Sequence, residues 1–157
     1  MTIDLIVIGK TNIDFVEAGI AEYKKRLSRY VKFSIITLPD IKGAKNMGDN
    51  DLKSREGDMI LSAVKNYDQV VLLDENGREF SSEGLAEFID GHALRSTRSI
   101  CFVVGGAYGF SQDVYAQYKT KLSLSKMTFS HQMIRLLFIE QLYRAHTIIK
   151  GEPYHHK

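Results

Sequence analysis

Three stretches in the last third of the chain hold residue types that could do chemistry. The first is an apolar run that closes in glycines, Ile100-Cys101-Phe102-Val103-Val104-Gly105-Gly106-Ala107-Tyr108-Gly109. The second is Leu122-Ser123-Leu124-Ser125-Lys126-Met127-Thr128-Phe129, and the third is the tail Glu152-Pro153-Tyr154-His155-His156-Lys157. Glycines after an apolar strand let a ligand lie against the backbone and bond to its N–H and C=O groups, because no side chain stands in the way. Serines alternating with leucines leave backbone polar groups beside apolar side chains, a mixture that suits the edge of a purine ring. Read alone, that alternation also describes an ordinary strand end. A dinucleotide fingerprint would be G-x-G-x-x-G after a first strand. Here the glycines follow a fourth strand, the first turn (Gly9-Lys10-Thr11-Asn12) has one glycine, and no Walker loop is present.

Between the second stretch and the tail, Glu140 and Arg144 stand four apart and share one helix face, while His131 and Arg135 share roughly the opposite one. Each pair reads as a local ion pair or surface contact as readily as a functional one. The tail is less ordinary, because a terminal segment without a role is usually polar and disordered, whereas this one carries Tyr154, His155 and His156. Two adjacent histidines with no cysteine or carboxylate at ligand spacing do not make a metal site, so no metal is expected. The single cysteine, Cys101, cannot form an internal disulfide and reads as a small core residue.

The elements that must position these groups follow from the pattern. A chain of 157 residues, 44% hydrophobic, is one domain's worth and can build a core. No stretch approaches a membrane span, and the N-terminus Met1-Thr2-Ile3-Asp4-Leu5 lacks the features of a secretion signal, so a cytoplasmic protein is expected. The net charge of +2 does not by itself establish an RNA partner. The clusters Lys24-Lys25-Arg26 with Arg29 and Lys32, and Lys42 with Lys45, could meet phosphates or simply be solvated.

Strands are predicted at Thr2 to Gly9, Val31 to Leu38, Gln69 to Leu73, Ser99 to Val104 and Leu122 to Leu124. Helices are predicted over Phe15 to Tyr30, Asp51 to Lys65, a segment capped by Ser82, a short segment opened by Ser111, and Ser130 to Lys150. Asp74-Glu75-Asn76-Gly77 reads as a turn and Ile41 to Asn50 as a loop. Alternation of this kind implies an α/β fold: a single-domain, mainly parallel sheet with helices on both faces and ligands beyond the carboxyl ends of the strands. The last helix is apolar around nearly its whole circumference, which calls for cover on several sides and suggests a partner chain, most simply a symmetric dimer. The other reading is a helix sandwiched within its own domain.

Five segments taken together, Val103-Val104-Gly105-Gly106-x-x-Gly109, Leu122 to Phe129, His131-Gln132-Met133-x-Arg135, Glu140-Gln141-x-Tyr143-Arg144-Ala145 and Pro153-Tyr154-His155, resemble the ribosomal RNA large subunit methyltransferase H family. The resemblance runs from the first strand to the last residues. It implies a SPOUT-class domain over residues 1–157 with a C-terminal trefoil knot. It further implies a homodimer that uses S-adenosylmethionine to methylate N3 of a pseudouridine in 23S (large-subunit) ribosomal RNA, on the assembled ribosome. Carried over by position, the cofactor contacts would be Leu73, Gly105, Leu124, Ser125, Lys126, Met127, Thr128 and Phe129. Glu140 and Arg144, with Tyr154 and His155 contributed across the dimer, would form the catalytic group, and His131 with Arg135 would lie nearby toward the substrate.

An imide N3–H must lose its proton before or during attack on the methyl group. His155 or Glu140 could take it, and Arg144 could steady charge on the ring carbonyls. Two rival readings differ in kind. One is a nucleotide-binding hydrolase that uses the glycine loop for phosphate; the other is a non-catalytic ribosome-binding or assembly factor with the same fold.

Overall fold

The computed structural model describes residues 1–156; Lys157, the end of the expected domain, lies outside the described residues. Five parallel strands form one sheet in the order β2-β1-β4-β3-β5. They are β1 (Thr2–Ile8), β2 (Lys32–Leu38), β3 (Gln69–Glu79), β4 (Ser99–Val104) and β5 (Lys121–Ser123), alternating with α1 (Asp14–Leu27), α2 (Asp49–Val64), α3 (Ser82–Leu94), α4 (Gln112–Gln117) and α5 (Met133–Ile149). The expected α/β order is therefore the observed one, and the sheet is wholly parallel.

Strand side chains alternate between faces, so each central strand feeds two cores. Ile3, Leu5 and Val7 of β1, with Ile100, Phe102 and Val104 of β4, pack beneath α1, α3 and α5. Ile6 and Ile8, with Cys101 and Val103, pack beneath α2 and α4 through Ile60, Val64 and Val114. Cys101 is fully buried, and burial pushes its thiol up to about 12, which makes it inert core.

α5 lies between α1 and α3, where Phe138 meets Phe102 at a ring-centroid distance of 4.6 Å and Ile139, Leu142 and Ala145 are fully buried. Much of the apolar girth of this helix is thus covered within its own domain, while Leu136, Leu137, Ile148 and Ile149 stay half-buried. The Leu136 side chain sits where a Cβ on Gly19 of α1 would stand, so the two helices approach closely.

Several boundaries differ from those expected, and three of the differences have a local cause. The cap of α3 is Ser81 rather than Ser82, its hydroxyl accepting from the Gly84 N–H at 3.0 Å. β3 does not end at Leu73, because both Leu73 and Arg78 pair with Leu122 and the residues between them bulge out of the ladder. The expected turn at Asp74 to Gly77 is that bulge. α5 begins at Met133, although the Ser130 hydroxyl still accepts from the Met133 N–H at 3.1 Å.

Candidate active site

β3, β4 and β5 lie side by side and point the same way, so their carboxyl ends open onto one cavity of about 520 Å³. Its walls come from the β3 bulge, the glycine loop after β4, and the segment from Leu122 to Ile134. The size falls within the range of small-molecule sites. In the glycine loop the Gly109 N–H donates to the Gly106 carbonyl at 3.1 Å and closes a turn. Gly109 has φ +82°, a left-handed conformation that glycine adopts without cost. Phe110 and Ser111 behind it are buried and anchor the loop.

The segment after β5 is shaped by its own serines and threonine. The Ser123 hydroxyl donates to the Ser125 carbonyl at 2.9 Å, and the Ser125 hydroxyl accepts from the Met127 N–H at 2.9 Å. The Thr128 hydroxyl donates to the Glu75 carboxylate at 2.8 Å, tying this segment to the β3 bulge. Leu73, Gly105, Leu124, Ser125, Met127, Thr128 and Phe129 all line the cavity, as does His131. Lys126 is not among the lining residues; its side chain is 85% exposed and reaches Glu79 at 3.9 Å. Met127 is 76% exposed at the rim.

Among the wall residues that sequence reading missed are Asp74 and Tyr115, which are joined by a short hydrogen bond from the phenol to the carboxylate. Burial and that bond together raise the pKa of Tyr115. The only sequence signal was the acidic bulge itself, since Tyr115 belongs to a helix remote in the chain.

A second cluster forms where the tail folds back on α5. Glu140 Oε1 accepts from Arg144 Nη2 at 2.6 Å and from the Tyr154 hydroxyl at 3.0 Å. The Arg144 guanidinium lies over the Tyr154 ring, 4.7 Å from its centroid. Arg144 Nη1 stands 3.5 Å from His155 Nδ1, and His155 Nε2 stands 3.2 Å from Glu83 Oε1. Arginine can only donate, so His155 accepts on Nδ1 and, when neutral, carries its proton on Nε2 toward Glu83. The bond to Glu140 holds the Arg144 pKa above its ordinary value. Burial, with bonds to Tyr23 and Glu140, raises that of Tyr154.

All four catalytic candidates therefore meet within one protomer. Glu83, Tyr23 and Tyr143 complete the cluster and were not foreseen. Tyr143 stands in one of the segments that carry the family resemblance, but nothing local distinguishes Tyr23 from other residues of its helix or Glu83 from any other acid in a first helical turn. None of these residues lines the cavity, so the two groups of candidates occupy separate places on the chain.

Arg135 corrects an expectation. It is 1% exposed and donates to the carbonyls of Ile8 (2.8 Å), Gly9 (2.9 Å) and His131 (2.9 Å) and to the Thr11 hydroxyl (3.0 Å). The guanidinium staples the start of α5 to the end of β1, and no face of it is left for a substrate. The four-residue spacing to His131 is real, but the shared partner is the His131 backbone rather than its ring.

Among the described residues no group of side chains could hold a metal ion, and no helix is long and apolar enough to cross a membrane. Residues 1–155 match the family described as "Predicted SPOUT methyltransferase". Over their full lengths, the chain is 55% identical to the ribosomal RNA large subunit methyltransferase H of Christiangramia forsetii and 50% identical to those of Flavobacterium johnsoniae and Parabacteroides distasonis. A cavity on three parallel strand ends and a polar terminal cluster thus stand in a sequence that matches these relatives from end to end: the chain belongs to the ribosomal RNA large subunit methyltransferase H family of SPOUT methyltransferases.

Proposed function

We propose that this protein transfers a methyl group from S-adenosylmethionine to N3 of a pseudouridine in 23S ribosomal RNA on the assembled ribosome. The observation that carries the reading is convergence. Residues scattered from Leu73 to Phe129, matched by family resemblance to cofactor contacts, line one cavity of about 520 Å³. Leu73, Leu122, Leu124 and Ile134 offer apolar surface there, beside Gly105, Ser125, Met127, Thr128 and Phe129. That combination suits an adenine ring and a compact polar tail. The cofactor supplies an activated methyl group on a sulfonium sulfur.

The chain's own task is to present the acceptor nitrogen. Arg144, kept cationic by Glu140, would stabilise negative charge on the ring carbonyls. Glu140 or His155 would accept the imide proton, while Tyr154 stacks under the guanidinium and holds the group in place. Cavity and cluster are apart within one protomer, which supports a homodimer in which one subunit's cluster faces its partner's cavity. Partly exposed apolar residues at the cavity rim, Met127 and Phe129, fit such a contact. A trefoil knot formed by the C-terminal segment belongs to the same reading, as do phosphate contacts from the exposed Lys24, Lys25, Arg29 and Lys32 and a cytoplasmic location.

The test is to incubate the protein with radiolabelled S-adenosylmethionine and ribosomes lacking the modification, then to locate the label. Label at N3 of one pseudouridine of the large-subunit RNA supports the proposal. Ribosome binding without label would leave the non-catalytic assembly factor.

A further inference from the structure

One buried acid is used by nothing described so far. Glu56 of α2 is 7% exposed, and no hydrogen bond or ion pair within the described residues holds its carboxyl group. Its position is specific. A Cβ built on Gly106 would stand 2.7 Å from Glu56 Cδ and 2.8 Å from Oε1, closer than real Cβ contacts come. The carboxyl group therefore occupies the space a side chain at Gly106 would need. The next residue repeats the relation, since a Cβ on Gly57 would stand 3.0 Å from Ser111 Cβ. Ser111 is the cap of α4, its hydroxyl accepting from the Val114 N–H. Glu56 and Gly57 thus lie close against both ends of the segment that runs from the glycine loop into α4.

We propose that Glu56 is a positioning residue for the cofactor cavity, a wedge that sets the 105–109 loop in the shape that lines it. Gly106 lines the cavity and Glu56 does not, so Glu56 acts through the loop rather than on the ligand. Burial, and secondarily the Asp40 carboxylate, raise its pKa. Glutamine has the same shape and can imitate the wedge without the charge. This inference rests on the cavity being the S-adenosylmethionine site.

The experiment uses the full chain, with S-adenosylmethionine binding followed by calorimetry and stability by urea unfolding. Glu56→Ala is expected to weaken binding about tenfold, with kcat at saturating cofactor within about twofold of wild type and no matching fall in the unfolding midpoint. Glu56→Gln should restore affinity to within about threefold. Gly106→Ala forces the carboxyl group or the loop to move and should weaken binding, and Glu56→Ala added to it should recover part of the loss, a coupling not expected of distant, independent sites. Wild-type affinity in Glu56→Ala, or a double variant no better than Gly106→Ala, overturns the proposal. A wild-type protein that binds no S-adenosylmethionine would instead defeat the reading of the cavity, and the coupling measured by urea unfolding would still test the wedge.

Discussion

The Tyr154 hydroxyl donates to the Glu140 carboxylate at 3.0 Å, and that bond folds the tail back onto the helix it has just left. The same oxygen holds Arg144 at 2.6 Å, so one carboxylate fixes both the cation and the ring beneath it. Arg144→Ala should leave S-adenosylmethionine binding unchanged, because the cavity lies elsewhere, and lower methyl transfer by about a hundredfold or more. Tyr154→Phe keeps the ring and loses only the hydrogen bond, so a smaller fall is expected. Calorimetry with the cofactor and label counted on ribosomal RNA separate the two effects; normal transfer by Arg144→Ala would remove it from the mechanism.

Arg135 should behave as a structural residue. Replacing it with alanine strands the carbonyls of Ile8, Gly9 and His131, a loss on the order of 3 kcal/mol. Arg135→Lys keeps the charge without the planar fork and should recover only part of it. Urea unfolding of the two variants measures this. A stable Arg135→Ala protein with impaired RNA binding would return the residue to the substrate.

Periodicity carried the fold a long way, because β1 and β4 are apolar runs buried on both faces and the helices between them declare themselves at 3.6-residue spacing. It failed where tertiary contacts decide. Leu73 and Arg78 share a partner on β5, which no local pattern announces, and so a bulge read as a turn. Arg135 read as a residue lying toward the substrate until the end of β1 supplied its acceptors. For the candidate site, motif spacing found the loops, but Glu83, Tyr115 and Glu56 become meaningful only when distant elements meet.

His146 gives a dependence on pH with a definite sign. It is buried against Tyr30, and its Nε2 has no hydrogen-bond partner among the described residues. Burial, then the nearby Lys150, depress its pKa from 6.5 to about 4. Between those values the unfolded chain binds the proton more readily, so stability falls on acidification from pH 6.5 toward 4 and this contribution levels off below. The full effect is on the order of 3 kcal/mol. His146→Leu should flatten the stability profile in that window relative to wild type, as urea midpoints from pH 4 to 7 would reveal. Parallel profiles for the two proteins would show that His146 does not titrate as its burial demands.

Gly77 tests whether the β3 bulge builds the cavity floor. A Cβ there would stand 2.7 Å from both the backbone N and C of Leu122 and 2.8 Å from the carbonyl carbon of Lys121. All three atoms belong to β5, an edge strand of three residues that leads directly into the 124–129 segment. Backbone cannot swing aside as a flexible side chain can, so Gly77→Ala must push β5 off β3. The expected cost is about 2 kcal/mol or more, together with loss of cofactor binding, since Leu73 and Leu124 would part. Gly48→Ser is the control: a Cβ at Gly48, the cap of α2, meets nothing within 4 Å, and serine there should leave stability unchanged or slightly raised. Thermal unfolding with and without S-adenosylmethionine reads both terms, and a Gly77→Ala protein stabilised by cofactor as much as wild type would show that the bulge does not shape the cavity.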